Sequence, residues 1–364
     1  MNPLADTIYL HGLNLFPAFG PKRLGLLGNY FQNYADAFAA PTAELMAAGL
    51  DAELAQKFVL FRQTINLKVE NEKLQNLGIH LVSIQDHTYP QLLLECSLPP
   101  SILYVRGTIP NPEWAIVSVV GTRKITTYGM SVTPRILGPL VDAGIVIASG
   151  LAYGVDALAH KQAVEKNKPT IAILGGGIDD KTIYPKHHVL LAHEIMATGG
   201  CLISEYPPGT PPFKQHFVAR DRIISGISIG TLIIECSLKS GSLITAQYAL
   251  EQNRRLYAVP GPIYAEESRG PNNLIKMGAS LATEAADILN DLNISPKLEA
   301  TLPAQDYTPT EQIVLAILTS EPMTVDAIIQ NSNADASAIT TTLTFLEMKG
   351  TIKNVGGQQY IRVR

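Results

Sequence analysis

Between Trp114 and Val259 the chain alternates short runs rich in Ile and Val with stretches of helical length. The runs are Ile116–Val120, Ile145–Ser149, Thr170–Leu174, Cys201–Ser204, Thr231–Glu235 and Leu256–Val259. Each is apolar at consecutive rather than alternate positions, so both faces must be covered. Runs of that kind, separated by helices, predict an α/β fold with a parallel sheet between two helical layers. Residues 1–80 read differently. Ala/Leu-rich segments, such as Ala43–Ala48 ended by Gly49 and the stretch from about Leu54 to Leu67, predict a small helical domain. After the α/β region (81–290), residues 291–305 lack periodicity and read as a linker. Residues 306–364 predict helices near Glu311–Leu318, Thr324–Gln330 and Ala334–Lys349, then a hairpin of Thr351–Val355 and Gln359–Val363 turned by Gly356-Gly357. Three helices and a hairpin make a winged-helix-like module.

Composition narrows the functional classes. A length of 364 residues suits two or three domains, each with its own core. With 46% hydrophobic and 16% charged residues, a disordered tail, a coiled coil and a highly charged nucleic-acid coat are excluded. The net charge of −4 confines any nucleic-acid site to a local patch. Cys96, Cys201 and Cys236 lie in apolar runs and read as reduced core residues. No basic stretch followed by an apolar block opens the chain, and no apolar run reaches the ~18 residues of a spanning helix. The expectation is a soluble cytoplasmic protein with no membrane partner.

In a parallel sheet, ligands bind beyond the carboxyl ends of the strands, where loops meet helix N-termini. Those ends are rich in glycine here: Gly121-Thr122-Arg123-Lys124, Gly150 to Asp156, Gly175-Gly176-Gly177, Ser240-Gly241-Ser242 and Pro260-Gly261-Pro262. Five such turns in one sheet predict a phosphate-handling crevice. The G-x-G-x-x-G fingerprint and the P-loop are both absent, so neither a nicotinamide nor an ATP cofactor is expected. Between Gly121 and Arg222 there are eleven Lys/Arg against eight Asp/Glu. Arg123, Lys124, Lys186, Lys214, Arg220 and Arg222 fall in the predicted crevice loops, interleaved with Tyr128, Tyr184, Phe213 and Phe217. Cations flanked by aromatic rings suit a single nucleic-acid strand, whose phosphates need charge and whose bases need a stacking face. Leu15 to Leu24, an apolar-Pro-x-apolar-Gly turn followed by Lys22-Arg23, looks like a helix-hairpin-helix that could also hold a phosphate.

Other patterns lead nowhere. Gly226-Ile227-Ser228-Ile229-Gly230 spells G-x-S-x-G, but it precedes a predicted strand, the reverse of a nucleophile elbow. His187, His188 and His193 do not share a helix face with a carboxylate, so no metal is expected. The last helix of the C-terminal module, bearing Thr340, Thr341, Thr342 and Thr344 on its expected recognition face, has no cation there. Residues 306–364 hold four basic against six acidic residues, a poor surface for duplex DNA.

These motifs, taken in order, closely resemble the bacterial DNA-processing protein A family (DprA, also called Smf). The likeness covers roughly residues 80–290. It rests on Val120-Gly121-Thr122-Arg123, Ser149 to Asp156 with Ala159-His160, Tyr184-Pro185-Lys186, Ser204-Glu205-Tyr206-Pro207, Phe217 to Arg222, Ser240 to Ala246 and Val259-Pro260-Gly261. The resemblance implies an extended Rossmann-like parallel sheet and a non-catalytic mediator. Such a protein binds single-stranded DNA, protects it, forms a homodimer and helps load the RecA recombinase during natural transformation. It also implies that Gly121, Thr122, Arg123, Lys186 and Lys214 meet the DNA backbone, that Phe217 stacks on a base, and that Arg220 lines the same pocket. One departure is Arg220-Asp221-Arg222, where the family usually shows Arg-Asn-Arg; an Asp there could tether an arginine internally. Two alternatives remain. One is a lysine-decarboxylase-like nucleotide phosphoribohydrolase using Arg220 and Glu235, although its P-G-G-x-G-T-x-x-E loop is missing. The other is a duplex-binding winged-helix regulator.

Overall fold

The structure is a computed structural model and describes residues 3–111, 113–294, 307–319, 322–332, 334–348, 351–357 and 359–362. The chain divides into two compact units, Met1–Lys297 and Leu298–Arg364. Most of the expected linker, from residue 295 onward, lies outside the described residues.

The first unit opens with helices α1 (Pro3–Asn14), α2 (Pro21–Tyr30), α3 (Tyr34–Ala39), α4 (Thr42–Ala47), α5 (Ala52–Arg62) and α6 (Leu67–Asn76). β1 (Ile79–Ser83), α7 (Gln91–Leu94) and β2 (Ile102–Gly107) follow. The alternating region then runs β3 (Ile116–Val120), α8 (Thr127–Asp142), β4 (Val146–Ser149), α9 (Val155–Glu165), β5 (Thr170–Ile173), α10 (Val189–Ala197) and β6 (Cys201–Ser204). It continues through α11 (Lys214–Gly226), β7 (Gly230–Ile233), α12 (Ser242–Glu251), β8 (Arg255–Ala258), α13 (Arg269–Lys276), β9 (Ser280–Leu281) and α14 (Ala285–Asp291). All six predicted runs are strands, with ends displaced by no more than two residues. β1, β2 and β9 were not predicted. β1 is exposed at its second position and β9 is only two residues long, so neither carries the consecutive apolar run that marks a central strand. β2, paired antiparallel between β1 and β6, does carry one, Ile102-Leu103-Tyr104-Val105, buried on both faces, and this signal was missed.

The sheet order is β1-β2-β6-β5-β4-β3-β7-β8-β9, parallel from β6 to β9. From β3 the chain winds outward through β4, β5 and β6, then returns along α11 to place β7 on the other side of β3. That reversal makes the β3/β7 seam a topological switch point, where the loops beyond the strands diverge and open a crevice. Both sheet faces are dry. Val117, Val119, Ile147, Leu232 and Ile234 meet α8, α9 and α14 on one side. Val120, Val146, Ile171, Ile203 and Ile233 meet α11 and α12 on the other.

The N-terminal helices pack onto the sheet end formed by β1, β2 and α10 through Leu10, Leu13, Phe58 and Tyr104. A buried polar knot fixes the contact: His11 Nδ1 lies 2.8 Å from Tyr104 Oη, and Asn14 Nδ2 donates to Tyr104 Oη and to the Glu205 carbonyl, each at 3.1 Å. Among the described residues the three cysteines are free and buried, and no helix is long and apolar enough to cross a membrane.

The second unit is a winged-helix module: α15 (Pro309–Ile317), β10 (Met323–Thr324), α16 (Val325–Ser332), α17 (Ala336–Met348), β11 (Ile352–Gly356) and β12 (Gln359–Arg362). Its strands pair β10-β12-β11, and Gly356 and Gly357 turn the wing with positive φ. One expectation fails on α17. Thr342 is buried rather than on an open face, and the hydroxyls of Thr340, Thr341 and Thr344 donate back to carbonyls four residues earlier. The helix period turns Thr342 about 100° from each neighbour, into the core beside Leu343.

Burial lowers the pKa of His11 to about 4, with Glu70 opposing. A histidine whose folded pKa lies below its unfolded value, near 6.5, stabilises the fold above pH 6.5 and loses that contribution as pH falls toward 4. Acidification from pH 7 to pH 5 should therefore cost about 2 kcal/mol through His11. Buried His160, also lowered, acts in the same direction. Urea titrations at the two pH values measure this, and an unchanged midpoint would contradict it.

Candidate nucleic-acid interface

A crevice of about 790 Å³ opens where the switch point demands, beyond the carboxyl ends of β3 and β7. Gly121, Thr122 and Arg123 follow β3 and form one wall; Lys239, Ser240 and Ser242 follow β7 and form another. The first turns of α11 bring Lys214, Phe217 and Arg220 across the top.

The two glycine-rich loops lock together. The Thr122 amide donates to the Glu235 carbonyl, and Ser242 Oγ donates to the Gly121 carbonyl at 2.7 Å. A Cβ on Gly121 would sit 2.6 Å from Val155 Cγ2 and 2.9 Å from the Glu235 carbonyl oxygen, so only glycine lets the loops close. Of the five glycine-rich strand ends, only the turns after β3, β4 and β7 reach the crevice. The other two are packing turns. A Cβ on Gly175 would meet Phe217 Cδ1 at 2.8 Å, and one on Gly261 would meet Ser268. Glycine at these two places makes room for a neighbouring protein atom.

Two of the six expected cations are committed inside the protein. Arg220 is 4% exposed. Its Nη1 donates to the carbonyls of Gly150 and Ile173, and its Nε donates to Asp221 Oδ1 at 3.1 Å. Arg222 closes on Glu205 with two parallel bonds, 3.1 and 2.7 Å long. The Asp in the Arg220-Asp221-Arg222 triplet thus tethers Arg220, while Glu205 on the β6 end holds Arg222. Burial pushes the Asp221 carboxyl up to about 6 against the pull of Arg220. Burial also raises the pKa of Asp156, which accepts from the amides of Gly150 and Ala152.

The remaining cations are exposed. Among the described residues, Arg123, Lys124, Lys186 and Lys214 are in no ion pair. Arg123 and Lys214 line the crevice. Lys186 stands just outside its wall, two residues beyond Tyr184, which does line it. Sequence reasoning missed Lys239, an exposed cation directly before Ser240-Gly241-Ser242. The signal was its place at a strand-end glycine turn, outside the Gly121–Arg222 window in which basic residues were counted.

Phe217 is half-buried at the centre of this set. The Arg123 guanidinium lies 5.6 Å from its ring centroid, that of Arg220 5.9 Å, and the Tyr184 ring 5.8 Å. Arg220 is immobilised by its hydrogen bonds, so it acts as a fixed floor under the ring. Arg123 is the exposed partner that can exchange the ring for a phosphate or a base.

The residues of the hydrolytic alternative are not brought together. Glu235 is buried outside the crevice wall and accepts from the Thr126 amide and hydroxyl at 3.0 and 2.5 Å, at the start of α8. Ser228 of the G-x-S-x-G pattern is buried and donates to the Ser225 carbonyl. His188 is bonded to the Leu151 carbonyl and His193 to Asp180. In the Leu15–Leu24 hairpin, Phe16 and Phe19 are buried against Phe58, while Lys22 and Arg23 are exposed at the start of α2.

Comparisons with known proteins agree with this architecture. The family model described as DNA recombination-mediator protein A matches residues 80–293, and a DprA winged helix domain matches residues 298–358. Protein Smf of Escherichia coli is 37% identical over 330 residues, which cover 88% of this chain and 87% of that protein. DNA processing protein DprA of Bacillus subtilis is 39% identical over 216 residues, 59% of this chain and 72% of that protein. The structure of DprA from Streptococcus pneumoniae aligns with TM-score 0.66 and 28% identity, covering 78% of this chain and 98% of that one. A Helicobacter pylori DprA structure, described for its single-stranded DNA binding mode, aligns with TM-score 0.51 and 30% identity over 59% of this chain and 96% of that one. With its sheet, its crevice loops and its winged helix all matched, the chain belongs to the DNA recombination-mediator protein A family.

Proposed function

We propose that this chain binds single-stranded DNA in the β3/β7 crevice and acts in the cytoplasm as a recombination mediator. In that role it protects incoming strands and helps to load RecA during natural transformation, as a homodimer. The observation that carries the DNA reading is the sorting of cations around Phe217: buried Arg220 and Arg222 are neutralised internally, whereas Arg123, set against the Phe217 ring, Lys214 and Lys239 face the crevice outside the ion pairs of the described residues. Unpaired cations beside an aromatic ring serve a single strand, because duplex bases are stacked and closed to the ring. Family membership supports the mediator role and RecA as partner. Dimerisation is supported by four exposed apolar side chains within residues 263–281, a stretch that includes the short edge strand β9: Ile263, Tyr264 (96% exposed), Met277 and Leu281. An open strand edge with apolar neighbours is a ready pairing surface.

Three phosphate contacts predict a log–log salt slope of about −2 for single strands, at about −0.7 per contact. Lys214→Ala and Lys239→Ala should each weaken binding to all sequences alike and flatten that slope by about 0.7, measured by fluorescence anisotropy of labelled poly-dT. An unchanged slope would remove that lysine from the strand's path.

Asp221 sets a pH dependence. Ionised, it places a negative charge at the crevice wall; as pH falls through about 6 it gains a proton and the crevice becomes more receptive to phosphate. Wild-type affinity should therefore rise from pH 7.5 to pH 5.5. Asp221→Asn should bind about fivefold tighter at pH 7.5, roughly 1 kcal/mol, with less of that rise. Equal affinities at pH 7.5 would exclude the effect.

Tyr264→Arg should convert the dimer to a monomer in light scattering while the thermal transition is retained, since the ring buries nothing within its own chain. A dimer mass in the variant would move the interface elsewhere.

A further inference from the structure

A second groove, of about 520 Å³, runs along the opposite side of the α11 N-terminus from the crevice. One wall is the Leu15–Leu24 hairpin, with Pro17 exposed, Pro21 half-buried and Phe16 buried; the other carries Tyr206, Phe213 and His216. We propose that this groove takes the continuation of the same DNA single strand, giving it a second base-stacking station built jointly by the N-terminal hairpin and the sheet domain. The inference rests on the crevice reading above and extends it.

Continuity is the first argument. The segment at the start of α11 is a shared partition: Pro212 and Lys214 line the crevice, while Phe213, Gln215 and His216 line the groove. A strand whose phosphate meets Lys214 has Phe217 on one side of that contact and Phe213 on the other. Phe213 is 50% exposed, so its ring is available. His216 stacks on Tyr206 with centroids 4.1 Å apart and 19° between planes, and Phe213 meets His216 edge-on at 5.3 Å. These packed rings are pre-oriented, and their faces are sequence-tolerant partners for a base.

Cations flank the groove rather than line it. Glu205 is the one carboxylate among the residues lining the groove, and it is closed on Arg222. Lys22 and Arg23 are exposed just past Pro21, in the first turn of α2, where Arg23 donates to the Ala18 carbonyl at 2.7 Å. The apolar, ring-lined groove thus lies between Lys214 on the crevice side and Lys22 beyond Pro21, an arrangement a single strand can follow from ring to ring. Its two walls are pinned by the Asn14 bonds to Tyr104 and to the Glu205 carbonyl, so the groove exists without rearrangement.

The test is a length series of oligo-dT bound by wild type, Phe217→Ala and Phe213→Leu, together with photocrosslinking of wild-type protein to 5-iododeoxyuridine strands. Phe217→Ala should weaken every length. Phe213→Leu, which keeps an apolar side chain but no ring, should bind short strands like wild type and long strands about tenfold more weakly. Crosslinks on the Tyr206–His216 segment and on the hairpin should appear only with the longer strands. Equal binding by Phe213→Leu and wild type at all lengths, with crosslinks confined to the crevice, would overturn the proposal and leave the groove to a peptide. Wild-type binding by Phe217→Ala and by Lys214→Ala at every length would instead overturn the crevice reading itself.

Discussion

The buried guanidinium of Arg220 holds the crevice together. It lies at the carboxyl ends of β4 and β5, where carbonyls project beyond the sheet and need donors, and it binds the Gly150 and Ile173 oxygens together. A full charge so deeply buried is tolerable only when paired, and Asp221 and Asp156 supply the opposite sign. That pairing dictates the neighbouring sequence. A Cβ on Gly150 would lie 2.5 Å from Arg220 Nη1 and 2.7 Å from Asp156 Oδ2, so glycine is required there for the arginine's sake. Phe217, one helical turn before Arg220, is thereby held at a fixed height above the strand ends.

From this follows a division of labour among cations of the same type. Arg220 and Arg222 lie two positions apart on α11, about 200° around the helix, so they point to different sides. Each meets a carboxylate, one from the next residue and one from the β6 end, and each becomes part of the scaffold. Arg123, Lys214 and Lys239 are carried on loops and a helix start and, among the described residues, are in no ion pair, with Arg123 near enough to pull on the Asp156 and Asp221 carboxyls. A protein of net charge −4 can still present cations at this crevice, because two of the carboxylates that line it, Asp156 and Asp221, are engaged by backbone amides and by Arg220.

The expected crevice residues were legible to different degrees. Arg123, Lys214 and Phe217 could be placed at the sheet's carboxyl end because strand-to-helix turns are readable from the alternation of apolar runs and glycines. Lys186 could be placed only on the right loop, since its distance from the crevice wall depends on how the turn after Tyr184 folds. The glycine-rich ends after β5 and β8 looked like phosphate loops but pack against protein atoms, Gly175 against Phe217 from far along the chain and Gly261 against Ser268 from the following turn. β1 escaped notice because it is partly exposed, whereas β2 carries a doubly buried run, Ile102 to Val105, that was readable in the sequence.

By itself the sequence determined the class of fold, the position of the candidate binding edge and the supply of cations and rings. These follow from local rules: consecutive apolar positions bury both faces of a strand, and glycine with polar residues ends it. Tertiary structure alone decided which arginines are available. Glu205 and Arg222 are 17 residues apart in sequence yet 2.7 Å apart in space, and the Gly150 carbonyl reaches Arg220 across 70 residues. Whether a buried cation is neutralised depends on what the fold brings within a few ångströms of it, because Coulomb attraction falls with distance in space and takes no account of separation along the chain.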